Sequence, residues 1–248
     1  MSHKITFLLG LMACISSTSV NAAGKSFTSG ERKVVLVELY TSEGCSSCPP
    51  AEKWMNTLKD NPRLWKDFIP LSFHVDYWDY IGWKDPFADP RYSLRQQTHS
   101  RLGNLSTVYT PGMMLDGREW RGWYSSGNIR PSTDAPGTLN VSVDDNRVTA
   151  MFTASKGDVG RNNDENLVLN IAVLGFDLES EVNAGENAGR LLKQEFVVLG
   201  LAMQESNNGK WQIDLPQVNP SNAMRTGLAA WVSERGNLVP IQATGGLL

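Results

Sequence analysis

Residues Val34 to Tyr40, reading Val-Val-Leu-Val-Glu-Leu-Tyr, form a short β-branched apolar run of the kind buried on both faces of a parallel sheet. Turn chemistry follows at Thr41-Ser42-Glu43-Gly44. Then come two cysteines, Cys45 and Cys48, separated by two serines and followed by Pro49 and Pro50. Downstream, Ala51, Trp54, Met55 and Leu58 recur at i, i+3, i+4 and i+7, which predicts an amphipathic helix. Two adjacent prolines fit a helix only in its first turn, where their missing N–H groups would lack intrahelical partners anyway. The chain must therefore run from a buried strand through a tight turn into a helix, with the cysteine pair at the junction. A thiol at a helix N-terminus meets unpaired amides and the positive end of the helix dipole, which favour the thiolate. Cys45 is accordingly expected to be the nucleophile. Cys48, inside the first turn, is the resolving thiol of a pair that opens and recloses a disulfide.

The order strand, turn, CxxC, helix resembles the thioredoxin fold. Further on, Tyr109-Thr110-Pro111 leads into Gly112-Met113-Met114-Leu115, an Asp116-Gly117 hairpin turn and a return strand at Arg118-Glu119-Trp120. The resemblance implies that Pro111 is a cis-proline packed against the disulfide. It further implies that Thr110 offers backbone hydrogen bonds to a bound substrate chain. A buried strand carboxylate serves thioredoxins as proton acceptor for the second cysteine. Glu38, the only charge in the first strand, is the candidate for that role, the alternative being a solvated or salt-bridged glutamate. The segments VELYTSEGCSSCPPAEKW, FHVDYWDYIGWKDPF and VYTPGMMLDG are similar to a family of secreted bacterial thioredoxin-like proteins catalogued as a domain of unknown function. They recur there in this order across nearly the whole mature chain. This likeness bears on family and fold and assigns no reaction.

With 248 residues, 41% of them hydrophobic and 20% charged, the chain has material for one large or two ordinary domains. Its net charge of -3 supplies no basic field, and no nucleic-acid-binding motif is present, so nucleic acid is not an expected partner. Lys4, the apolar run Ile5 to Ile15 and the small-residue pattern Val20-Asn21-Ala22 predict a signal peptide over residues 1–22, cleaved after Ala22. The apolar run is too short for a transmembrane segment, and no later segment is long enough. A periplasmic or secreted location follows as the expectation. Leu11-Met12-Ala13-Cys14 offers the alternative, a membrane-anchored lipoprotein with its lipid anchor on Cys14. Under either cleavage Cys45 and Cys48 are left to pair with each other, and an oxidising compartment suits such a disulfide.

Residues 24–127 carry the strand–helix pattern, with a second strand at Leu71 to Val75 and a helix from Asp89 to Leu102. Asp89 and Pro90 form its N-cap and N1 pair, and Gly103 its stop. The intervening stretch Tyr77 to Phe87 is dense in aromatics. Trp78 and Trp83 are its candidates for a substrate-binding groove beside the disulfide, and the alternative is a loop packed on its own domain. Residues 128–137, with Pro131, Pro136 and Gly137, read as a linker. About seven short apolar or alternating runs over 138–248 suggest a β-sandwich, the alternative being that these strands pack directly onto the sheet of the first region as one unit. The expected fold is thus an α/β thioredoxin-like domain followed by a β-rich, sandwich-like C-terminal region.

Three chemistries compete for the cysteine pair. One is an exported thiol-disulfide oxidoreductase acting on protein or peptide thiols and disulfides, with Ser46 and Ser47 placed to hydrogen-bond the Cys45 sulfur and with no cofactor. A second is Cu(I) binding by both thiolates plus Met113, Met114 or His74. Zinc is disfavoured, since no second cysteine pair exists. The third is a non-catalytic binding or assembly module in which the disulfide is a passive staple. His74 and Asp76 share a strand face, and a structural role is the better reading of His74.

Overall fold

A computed structural model describes residues 24–155, 166–218 and 223–248; the expected signal peptide and Cys14 lie outside them. Strand β1 (Lys25–Thr28) is short and mostly exposed, whereas β2 (Val35–Thr41) is buried along its whole length, as its apolar run requires. The cysteine turn leads into α1 (Pro49–Asn56), after which β3 (Phe68–His74) returns parallel to β2, with Val35 opposite Phe68 and Thr41 opposite His74. Helix α2 (Pro90–Arg101) starts at Asp89, whose carboxylate accepts from the Arg91 N–H, as its sequence signature predicts. Then β4 (Gly112–Leu115) pairs antiparallel with β2 and turns through Asp116-Gly117 into β5 (Arg118–Glu119).

Beyond these, strand dominates: β6 (Gly137–Asp144), β7 (Arg147–Ala154), β8 (Leu167–Phe176), β9 (Leu178–Glu181), β10 (Leu191–Gln194), β11 (Val197–Ser206), β12 (Lys210–Asp214), β13 (Arg225–Glu234) and β14 (Pro240–Leu247). One sheet has the order β14-β13-β8-β11-β3-β2-β4-β5, a second the order β1-β6-β7-β12, and β9 with β10 forms a separate ribbon.

This arrangement overturns the expected α/β thioredoxin-like domain followed by a sandwich-like region. Among the described residues strand dominates, 44% against 14% helix, and the two α-helices are short. The eight-stranded sheet takes four strands from before residue 137 and four from after it. The join is the parallel contact of β3 with β11, where Val197 faces Ser72 and the Ser72 N–H donates to the Phe196 carbonyl at 2.8 Å. Pro70 has the same parity as Ser72, so its missing N–H lies toward β11, where pairing is confined to that one position. A sequence run reveals which faces a strand buries, but not which distant strand completes its edge.

Strand parity sorts the core into two clusters. Leu167, Leu169 and Ile171 of β8, with Leu228, Ala230 and Val232 of β13, pack against Leu139, Val141 and Trp211 of the second sheet. The alternate residues Ala172, Leu174, Phe176, Ala229 and Trp231 join the core that holds β2, β3, Met55 and Tyr92. The eight-stranded sheet is therefore a middle layer with apolar side chains on both faces.

Candidate functional site

The strand-to-helix junction is built as its residues dictate. Gly44 N–H donates to Ser42 Oγ at 3.1 Å, Cys45 N–H to the Ser42 carbonyl at 3.1 Å and Cys48 N–H to the Cys45 carbonyl at 3.2 Å, folding residues 42–48 into consecutive turns. Cys45 and Cys48 form a disulfide with their Cα atoms 5.4 Å apart. Cys48 is the N-cap of α1, one position earlier than the expected first turn, and Pro49 and Pro50 fill the first two helical positions. The prolines remove two of the amides that would face an anion there, so the helix mouth is a weaker thiolate site than a proline-free one. Ser47 Oγ stands 3.3 Å from Cys45 Sγ and is the hydroxyl available to a thiolate. Both cysteines are buried, Cys45 at 1% exposure and Cys48 at 0%.

The peptide bond between Thr110 and Pro111 is cis, and Pro111 is buried. Trp78 links this bend to the cysteine turn: its Nε1–H donates to Thr110 Oγ1 at 2.7 Å, and a Cβ on Gly44 would come within 3.2 Å of Trp78 Cβ. Trp83 Nε1–H donates to Glu43 Oε2 at 2.9 Å. The aromatic stretch is thus packed around the junction by hydrogen bonds from both indoles.

Glu38 is placed elsewhere. It shares a β2 face with Tyr40, whereas Thr41 points to the opposite face, toward α1. Arg95 of α2 holds the Glu38 carboxylate with Nε at 2.9 Å and a terminal nitrogen at 3.2 Å, and the Tyr40 hydroxyl donates to it at 3.1 Å. Burial alone would raise the Glu38 pKa, but the Arg95 guanidinium and His99 outweigh it and hold the carboxyl well below the usual range. Arg95 is itself sandwiched between the rings of Phe73 and Trp231, 5.4 Å from each centroid. A carboxylate so held makes a poor proton acceptor.

The other face of β2 carries a buried titratable cluster that the sequence reading missed. Glu52, one helical turn beyond Cys48, is 5% exposed, and its Oε1 accepts from Thr41 Oγ1 at 2.6 Å. Residues at i and i+4 of a helix have Cβ atoms about 5–6 Å apart, which sets Glu52 behind Cys48. Burial first, with Asp85 and Glu43 adding and with His74 and Thr41 opposing, pushes the Glu52 carboxyl up to about 7. His74 Nδ1 lies 2.7 Å from Asp85 Oδ2. Burial opposes charge on that ring, but the Asp85 carboxylate prevails, helped by Glu52 and Glu43, and raises His74 to about 9. The imidazolium therefore donates to Asp85 at neutral pH. Burial, and then Asp85, likewise push Glu43 upward, and the Glu43 N–H donates to Asp85 Oδ2 at 2.8 Å.

One signal bears on these residues. Glu52 falls three residues before Met55 on the apolar helical face, and a lone charge there marks a buried carboxyl. Asp85 and Glu43 lie in turns and carry no periodic signal. Asp76, paired with His74 in the sequence reading, instead receives a hydrogen bond from Ser93. The soft ligands considered for copper are dispersed: Met113 and Met114 lie in the apolar core and His74 is bound to Asp85. Among the described residues no group of three or more His, Cys, Asp and Glu side chains is placed to hold a metal ion, and no helix is long and apolar enough to cross a membrane.

No curated protein matches the sequence significantly. A protein from Agrobacterium tumefaciens, solved by X-ray crystallography, is similar in structure over 88% of this chain and 96% of its own, with 22% identity and a TM-score of 0.58. HBP35 of Porphyromonas gingivalis is similar over 88% of this chain and 76% of its own, with 18% identity and a TM-score of 0.54. At these identities the likeness speaks for the fold alone. The model of a family described as a protein of unknown function, DUF1223, matches residues 36–233, a span containing the disulfide, the buried cluster and most of both sheets. The chain belongs to the DUF1223 family.

Proposed function

We propose that the protein is an exported thiol-disulfide oxidoreductase that exchanges its Cys45–Cys48 disulfide with thiols of protein or peptide partners. The observation carrying this reading is the pairing of that disulfide, at a strand-to-helix junction, with Glu52, a buried carboxyl that changes protonation near neutrality one turn behind Cys48. In the reduced protein the Cys45 thiolate attacks a partner disulfide, forming a mixed disulfide and expelling one partner sulfur as a thiolate, which takes its proton from solvent. Cys48 S–H then passes its proton to the Glu52 carboxylate, and its thiolate attacks Cys45 Sγ. The Cys45–partner bond breaks, the second partner sulfur leaves with the electron pair, and the intramolecular disulfide closes. The partner gains two electrons and the cysteine pair loses them; in reverse, the same steps oxidise a partner dithiol. Thr110, Pro111, Trp78 and Trp83 are the groups offered to the partner chain, and Ser47 is the hydrogen-bond donor to the Cys45 thiolate.

A second reading, a passive staple in a binding module, is favoured by the burial of both cysteines. One experiment separates the two. A Cys48→Ser variant, expressed in cells that export it, accumulates mixed disulfides through Cys45 if exchange occurs. Their absence, together with a reduction potential below about -300 mV as in structural disulfides, refutes the exchange reading.

A further inference from the structure

Strands β8 and β11 are antiparallel neighbours, with Gly175 opposite Val197, so a short turn would suffice to connect them. Instead the chain leaves the sheet at Asp177 and returns at Phe196, both in the left-handed region at φ 53° and 59°. Between these points β9 and β10 pair, among the described residues, with each other alone, Leu178 opposite Gln194 through Glu181 opposite Leu191. The root of this ribbon is fixed by Lys59, which binds Glu195 at 2.6 Å, and by Arg225, which binds Asp177 at 2.8 Å.

The tip of the ribbon reaches the cysteine turn. Ser46 N–H donates to Glu186 Oε2 at 3.1 Å. The Asn187 side-chain amide, fully buried, donates to the carbonyls of Glu43 at 2.7 Å and Cys45 at 3.0 Å. Gly185, at φ +73°, fits against Trp83, where an added Cβ would come within 3.3 Å of the tryptophan's own. Nearer its root, Gln194 donates to Glu43 Oε1 at 2.9 Å. Cys45, whose carbonyl the ribbon grips, is 1% exposed, whereas thiol-disulfide exchange needs an attacking sulfur in contact with the one it displaces.

We propose that the β9–β10 ribbon is a lid over the disulfide, latched by Glu186 and Asn187, and that it must swing aside before any thiol reaches Cys45. The latch grips backbone groups of Glu43, Cys45 and Ser46, so it opens without disturbing the disulfide. The ribbon keeps its own hydrogen bonds as it moves, because neither of its strands belongs to the main sheets. Its departure leaves the β8–β11 pairing in place. The lid's role as a gate for partners rests on the exchange reading, but its control of access does not.

The test is the rate at which dithiothreitol reduces the disulfide of the full chain under native conditions, followed by maleimide tagging of the freed thiols. Losing one hydrogen bond corresponds to roughly 5-fold in the opening equilibrium, so Glu186→Ala accelerates reduction about 5-fold and Asn187→Ala, which loses two, about 30-fold. A third variant, with residues 178–194 replaced by a short Gly-containing turn, gives the rate for an uncovered site. Circular dichroism and urea unfolding of each variant establish that the global fold persists. Reduction within 2-fold of wild type in all three variants, or wild-type reduction as fast as that of the chain in guanidinium chloride, overturns the lid. Faster reduction without mixed disulfides in the Cys48→Ser trap keeps the lid and sinks the exchange reading. Trapped partners with unaltered reduction rates do the reverse.

Discussion

Replacing Glu52 by Gln tests the buried cluster through stability alone, without reference to any partner. Glutamine has nearly the same shape and retains an oxygen to accept the Thr41 hydroxyl, now 2.6 Å from Glu52 Oε1, so the substitution removes little besides the charge. The folded-state pKa of Glu52, about 7, lies above the ordinary 4.5, so between those values the folded chain holds a proton that the unfolded chain has lost. Stability arising from this group is therefore complete below about pH 4.5 and declines until pH passes about 7. At about 1.4 kcal/mol per pH unit, that interval amounts to a loss of about 3 kcal/mol, with the attraction of His74 already included. The Gln variant escapes the loss. Urea unfolding of the oxidised proteins from pH 4 to pH 8 should show the two nearly equal at the acid end and the variant more stable by about 3 kcal/mol at the alkaline end. Parallel curves across that range would refute the raised pKa and remove the basis for Glu52 as proton acceptor.

Arg95→Met should cost about 3–5 kcal/mol in urea unfolding at pH 7, because it strands the Glu38 carboxylate without its counter-ion in a fully buried site; a loss below about 1 kcal/mol would contradict the pairing. Gly112→Ala places a Cβ 2.8 Å from the Tyr109 carbonyl oxygen and 2.9 Å from Gln96 Nε2. Because the carbonyl belongs to the backbone and yields little, a loss of about 1–3 kcal/mol and a lowered Tm are expected, and an unchanged Tm would count against that close approach. His74, raised from 6.5 to about 9 chiefly by Asp85 against the effect of burial, contributes stability present below pH 6.5 and lost as pH rises through about 9. His74→Gln should flatten the wild-type decline over that window in thermal melts, and a decline that persists unaltered would assign it to another group.

Local structure was readable where one short window of residues decides the outcome. The β-branched run at Val35–Thr41, the prolines opening α1, the Asp89-Pro90 start of α2 and the Asp116-Gly117 turn each state their own conformation, and each is found. The start of β3 lies three residues before the expected one because Pro70 looks like a break, and nothing nearby announces that its N–H side lies toward a sparsely paired edge. The global fold was misread because strand order depends on pairings across more than a hundred residues, as between Ser72 and Val197. In the site, the disulfide was legible and its surroundings only partly so. Parity along β2 already put Glu38 and Thr41 on opposite faces, yet which face receives α1 is decided by packing. Asn187 and Glu186 carry no signal at all, since their significance arises only when the ribbon folds back across the chain.

The contact between β3 and β11 carries one eight-stranded sheet across both halves of the chain. A fragment ending near residue 130 would present β3 with a bare flank, and the complementary fragment would present β11 in the same condition, each a template for adhesion to other chains. Cutting the chain there would also part the cysteine turn from the ribbon that crosses it.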